Sequence, residues 1–280
     1  MSNHAKLGIS RIHRWSLHAA LCLLAALSLA PLLWMVSLSL MPAGQASQFP
    51  PPLLPETWTL ANYQTLFSRL NFGTYLLNSI LISTIVTLVS LFINTMAGYA
   101  FAKLQFRGRE RIFKLLLAAL VVPAQVAMLP LFLLLKQMGL VNTYWGVMLP
   151  AMASIFGIFL VRQYARSIPD ALLESARIDG ASEWRIFFQI VMPLMKPVVV
   201  TLAIITFMGS WNDFMWPLII LTDSSQSTLP IALASLSREY VQDVEMMMAG
   251  AVLTVAPVLV LFVLLQRYYI QGLLLGGVKG

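Results

Sequence analysis

The sequence predicts an all-α membrane protein of six transmembrane helices, with a polar helix–turn–helix between the fourth and fifth. Three observations carry this. Of the 280 residues, 59% are hydrophobic and 10% charged, with a mean hydropathy of +0.81. A soluble domain carries roughly 25% charged residues, so a chain this apolar cannot bury itself in one soluble core. Six apolar runs of about 20 residues, with their connections, use up the chain. Finally, with both ends placed inside, only Arg69, Lys136 and Arg238 of the 18 Lys and Arg fall outside. That is a strong positive-inside pattern. It also accounts for the net charge of +7 without nucleic acid.

The first run, about Ser16 to Met41, follows a basic segment (residues 1–15, with Lys6, Arg11 and Arg14). It is longer than a signal-peptide core, which predicts an uncleaved first span. Residues 42–77 form an outside loop in which PPPLLPETW (50–58) breaks any helix and LANYQTLF (60–67) suits a short surface helix. The second span, about Asn78 to Ala102, carries Ala97, Gly98 and Ala100 as a small-residue patch for close helix contact. A short basic loop, KLQFRGRERIFK (103–114), leads to the third span, about Ile112 to Leu135. Pro123 and Pro130, with Gln125 between them, predict a bend there, either a plain kink or one beside a polar pathway. The fourth span is about Trp145 to Val161. The fifth, about Val198 to Leu221, holds the polar cluster SWNDF (210–214). Residues 222–248 read as a mixed-charge outside loop without hydrophobic period. The sixth span, 249–266, precedes a glycine-rich tail (269–280). Residues 16–268 thus form one membrane domain.

The polar interruption at 167–197 sits on the same side as the basic loops. Pro169 pre-sets a helix start and Asp170 faces the positive end of its dipole. Glu174 and Arg177 are spaced to pair. Gly180 suits a left-handed cap, and Ser182 can cap a second helix that Pro193 and Pro197 end. A surface helix anchored in lipid is one reading. The other rests on the small, mixed-charge face of Glu174, Ser175, Ala176, Asp179, Gly180 and Ala181, which invites close approach by another protein.

The run ESARIDGASEWRIFFQIVMPLMKP (174–197) resembles the EAA loop of ABC-importer permeases: Glu-Ala-Ala, three residues, Gly, then a closing Ile-x-Leu-Pro. Glu174, Ala176, Gly180, Ile190 and Pro193 match; Ser175 replaces the first alanine and Met192 the usual leucine. AGYAFAKLQFRGR (97–109), PAQVAMLPLF (123–132), GLVNTYWGVMLP (139–150), SWNDFMWPL (210–218) and the C-terminal QGLLLGGVKG are similar to the carbohydrate-uptake branch, to subunits like the smaller permease of the maltose transporter. The resemblance covers nearly the whole chain. It implies a multi-pass protein of a bacterial-type inner membrane, both termini cytoplasmic. Glu174, Ser175, Ala176, Asp179, Gly180 and Ala181 would form a coupling contact with a separate cytoplasmic ATPase. Gly272, Gly276 and Lys279 would give it a second contact. Further implied partners are a second homologous permease, two copies of the ATPase carrying ATP-Mg, a sugar-like solute, and an extracytoplasmic solute-binding protein reached by a segment near Ser224–Leu236.

The chain itself points to no enzyme and no cofactor. It contains no G-x-x-x-x-G-K-[ST] run, its single cysteine (Cys22) lies in an apolar run, and its histidines (His4, His13, His18) cluster near the N-terminus. Gln125, Asn212 and Asp213 are the candidates for a translocation path. Asn212 and Asp213 could line it, or could satisfy a broken helix near Pro217. An ion-coupled secondary transporter is the alternative, but it would want more ionisable groups at membrane depth than Asp213.

Overall fold

The computed structural model describes residues 11–239 and 243–277, and every regular element among them is a helix. In chain order these are α1 (Arg11–Ser39), α2 (Ala61–Ser68), α3 (Phe72–Lys103), α4 (Arg109–Ala119), α5 (Ala124–Gln137), α6 (Tyr144–Met148) and α7 (Ile155–Ala165). Then follow α8 (Asp170–Ile178), α9 (Glu183–Ile186), α10 (Met192–Leu194), α11 (Lys196–Trp211), α12 (Met215–Ile220), α13 (Leu229–Glu239) and α14 (Val244–Gly277). Four stretches are long and apolar enough to cross a membrane: Trp15–Ser39, Phe72–Lys103, Tyr144–Ala165 and Val244–Leu264. Two sharply bent pairs, α4 with α5 and Glu183–Leu194 with α11, raise the number to six if each is one span.

One compact unit comprises residues 1–70 and 236–253. The chain folds back beyond α1: the Ser37 hydroxyl donates to Leu53 O at 2.7 Å and Thr59 N to Leu40 O at 2.9 Å. The expected short helix forms as α2. Its buried Asn62 donates to the carbonyls of Ser39 (3.0 Å) and Met41 (2.9 Å), satisfying groups that the end of α1 leaves free. Glu245, in the first turn of α14, accepts from Ala46 N at 2.6 Å.

The other unit comprises residues 71–235 and 254–280, and α3 is its axis, packed along α7 and α11. A stripe of Ser79, Ser83, Thr87, Ser90 and Asn94, spaced three or four apart, is buried along α3. Small polar residues let helices approach closely where lipid supplies no hydrophobic drive between them. Asn94 accepts from Ser154 N at the start of α7 (3.0 Å) and donates to Ser90 Oγ (2.7 Å). The expectation for Gly98 holds: a Cβ there would lie 2.5 Å from Val161 Cγ1 and 3.0 Å from Arg162 N. Two cores flank α3, one around Tyr99, Val161, Leu173, Ile186 and Leu202, the other around Ile82, Val147, Trp216 and Ile220.

Several expectations are corrected. The second span starts at Phe72, not near Asn78, because Asn71 takes the left-handed conformation (φ 54°) and the helix begins directly after it. The third run is two helices bent by 104°. Pro123, without an N–H and disfavouring helix at Val122, marks that break, whereas Pro130 sits inside α5 without ending it. Gln125, between the two prolines, is exposed. The segment expected as an outside loop contains a helix, α13, with buried Leu229, Ile231, Ala232 and Leu236. The sixth run continues as helix to Gly277, through most of the expected tail.

Candidate functional site

The polar segment between the fourth and fifth apolar runs folds as the expected helix, glycine turn and second helix. Pro169 is the N-cap residue of α8, and Asp170 occupies its first turn. Gly180 ends the helix at φ +81°. Its N–H reaches Arg177 O (3.0 Å) while Ala181 N reaches Ala176 O (2.9 Å). These two bonds make a Schellman motif, whose left-handed residue glycine adopts without strain. The Ser182 hydroxyl accepts from Arg185 N and caps α9. A π-helical turn over Phe187–Val191 follows, and then a 79° bend into α11.

The segment has two faces. Leu173, Ile186, Phe187 and Val191 are buried with Tyr99 of α3 and Val161 and Ala165 of α7. On the outer face Glu174, Ser175, Asp179 and Gly180 are exposed. Ala176 and Ala181 are half-buried beside that surface, packed against the core, because the Schellman turn folds Ala181 back over Ala176. Ile178 was missed from sequence. It is 86% exposed at the end of α8, and its only signal was its position four residues after Glu174, on the same helix face.

Polar contacts bolt the inner face to α3. Arg177 pairs with Glu183 (Nε–Oε1 2.7 Å), not with Glu174, because the glycine turn brings the start of α9 back beside α8. The buried Tyr99 hydroxyl donates to the other Glu183 oxygen at 3.0 Å, and its ring packs on Phe187 at 5.5 Å. Lys103, only 5% exposed, donates to Ile168 O and pairs with Asp170 at 2.6 Å. The hydrogen bond from Lys103, and then its charge, hold the Asp170 carboxyl below its ordinary value. The bond to Glu183 likewise raises Arg177. Beside this, buried Arg162 of α7 takes both oxygens of Glu110 (2.8 and 3.1 Å), donates to Phe101 O (3.1 Å) and lies 3.9 Å over the Phe113 ring. Sequence reasoning had only counted Lys103 and Arg162, whose partners Asp170 and Glu110 lie 67 and 52 residues away.

The remaining candidates lie elsewhere. Asp213 Oδ1 accepts from Trp216 N (3.3 Å) at the start of α12, and exposed Asn212 donates to Met208 O (2.9 Å). Both therefore satisfy the break between α11 and α12. Gly272 and Gly276 are helical in α14, and Lys279 lies outside the described residues.

Residues 94–274 match the family described as binding-protein-dependent transport system inner membrane component. The arabinooligosaccharides transport system permease protein AraQ of Halalkalibacterium halodurans is 40% identical over 274 residues, 97% of this chain and 98% of its own. The lactose transport system permease protein LacG of Rhizobium radiobacter is 34% identical over 262 residues, 94% and 95% of the two chains. A crystal structure of a bacterial ABC transporter involved in import of the acidic polysaccharide alginate shares the fold, with a TM-score of 0.81 at 23% identity over 96% of this chain and 100% of that one. Apolar spans, the Glu174–Pro193 pattern and these likenesses agree: the chain belongs to the inner-membrane components of binding-protein-dependent transport systems.

Proposed function

We propose that the chain is the permease subunit of a binding-protein-dependent ABC importer for a sugar or sugar-like solute, and that residues 167–197 are where a separate cytoplasmic ATPase drives it. One observation carries the reading: the exposed edge at Glu174, Ser175, Ile178, Asp179 and Gly180 sits on a helix pinned to α3 through Lys103–Asp170 and Tyr99–Glu183–Arg177. A short helix held in this way passes a push on its outer face to the spans as a rigid-body shift. A lipid-anchored surface helix has no need of that mount. The names of the relatives, for arabino-oligosaccharides and lactose, favour a sugar.

In this reading the six spans include both bent pairs, and both termini are cytoplasmic. ATP-Mg is bound and hydrolysed on two copies of the partner ATPase, and this chain holds no cofactor. Free energy enters as differential binding of the ATPase to two permease states. A second, homologous permease completes the path, and a solute-binding protein delivers the sugar from outside. Gly272, Gly276 and Lys279 supply the tail contact with the ATPase. Of the path candidates, Asp213 has a structural task already, since it caps α12.

Gly180 provides the test. A Cβ there meets nothing within 4 Å in this chain, so the space beside it is free for a partner. Gly180→Ala and Gly180→Leu carry the same left-handed strain of about 1–2 kcal/mol, and only leucine fills that space. Both variants should insert normally. Leucine should abolish uptake, or uncouple it from ATP hydrolysis, well beyond the effect of alanine. Normal uptake and normal ATPase recruitment in Gly180→Leu would overturn the proposal.

A further inference from the structure

The basic loop between α3 and α4 makes an open cleft of about 670 Å³, lined by residues 105–111. Its charges fall into two sets. Glu110 is taken by Arg162 and Arg109 (Nε–Oε1 3.3 Å), and Arg109 also donates to Leu104 O. Arg107, Arg111 and Lys114 are exposed, and among the described residues their side chains make no ion pair or hydrogen bond. The fold has thus consumed the one carboxylate of the loop internally and left three cations turned outward.

What lies beneath those cations decides the ligand. Arg111, Leu115 and Ala118 recur at four and three residues on α4 and are all exposed, Leu115 to 71%; they share one helix face. Ile112 and Phe106 add exposed apolar surface beside the cleft. A free phosphate or a nucleotide would want the cations alone. A cation at the head of a helix and an apolar track running down it match a phospholipid, with the phosphate at the top and an acyl chain below.

We infer that Arg107, Arg111 and Lys114, above the Leu115–Ala118 face of α4, form a binding site for an anionic phospholipid. This goes beyond the transport reading and uses only its assignment of the loop to the membrane surface. The site also bears on the rest of the molecule, because Glu110 and Arg162 tie its loop to α7. Lipid held at α4 would therefore stiffen the mount beside residues 167–197.

The full-length chain in nanodiscs of phosphatidylcholine with a minor share of phosphatidylglycerol provides the test, with native mass spectrometry counting the lipids retained on release. A symmetric bilayer makes the result independent of orientation, and no transport is measured, so failure here leaves the transport reading standing. The unaltered chain should retain phosphatidylglycerol in preference. Each cation contributes about fivefold, so Arg111→Gln should lower the preference by about that factor. The triple change Arg107→Gln, Arg111→Gln, Lys114→Gln should lower it on the order of a hundredfold. Leu115→Gln should weaken retention with no change in charge. Arg166→Gln, an exposed cation outside the cleft, should leave it unchanged.

Full preference in the triple variant would overturn the site, as would an Arg166→Gln effect equal to that of Arg111→Gln, which would mean diffuse charge attraction. Displacement by inorganic phosphate, or indifference to Leu115→Gln, would make it a free-anion site. Cross-linking of Leu115→Cys to a second permease chain would assign the face to protein. Either result overturns the lipid inference.

Discussion

Replacing Tyr99 by phenylalanine removes one oxygen atom from the mount of the 167–197 segment and little else. The ring stays, and with it the packing on Phe187 at 5.5 Å. What is lost is the 3.0 Å hydrogen bond to Glu183 Oε2, while Glu183 keeps Arg177 at 2.7 Å on its other oxygen. A hydrogen bond to a charged acceptor contributes about 1.5–3 kcal/mol. The Glu183 side chain is 46% exposed, so water replaces part of the loss and about 1 kcal/mol is expected. If this bond helps α3 follow the segment, the same quantity sets the functional effect: about 1 kcal/mol is roughly a fivefold change in a coupling constant. The assay is solute uptake per ATP hydrolysed in proteoliposomes, with insertion checked separately. In the proposed assembly, the partner ATPase should still hydrolyse ATP with Tyr99→Phe, but several-fold less solute should move per turnover. Glu183→Gln in the same background should add less than it does alone, because the two changes break one bond. An unaltered uptake-to-hydrolysis ratio, or strict additivity of the two changes, would refute the reasoning.

Two further outcomes follow from the same geometry. Gly98→Ala places a methyl 2.5 Å from Val161 Cγ1; such overpacking costs about 1–3 kcal/mol, and detergent melting should show a lower midpoint that Val161→Gly partly restores. For Asp170, the carboxyl is depressed in the folded chain by Lys103, so its contribution is fully present above the unfolded carboxylate value of about 4 and is lost as pH falls through the lower folded value. Asp170→Asn should remove that component of acid sensitivity from the melting curve while leaving the curve at neutral pH with the same slope; an unchanged acid limb would count against the Lys103 pair.

The transport path was the least legible part of the sequence. Gln125 lies exposed between two prolines, and the bend at Pro123 is 104°. Asp213 could have lined a path or repaired a broken helix. Its bond to Trp216 N gives it the second task, and that depends on where α11 stops, which hydropathy does not register. The buried polar stripe of α3 was visible in principle as polar residues at helical spacing in an apolar run. Asn142 is a different case. Its left-handed backbone (φ 59°) lets its side chain accept from Thr222 N (3.0 Å) and Asp223 N (2.9 Å), and Asn78 donates to Ser225 and Ser227 carbonyls, so the segment expected to reach outward near Ser224 is held down at its start.

By itself the sequence determined the all-helical membrane class, the helix–turn–helix at 167–197, its cap at Gly180 and the family. Those features rest on local physics: the transfer of apolar runs into lipid, left-handed backbone at glycine, and short motifs read along one chain. Only the tertiary structure decided which charges pair. Arg177 chose Glu183 over Glu174, Lys103 found Asp170, and Arg162 took Glu110 while Arg107, Arg111 and Lys114 were left to the surface. The reason is distance. An ion pair needs its partners within about 4 Å, and spacing along a chain says nothing of that once a glycine turn or a helix packed 60 residues away can bring a better partner nearer.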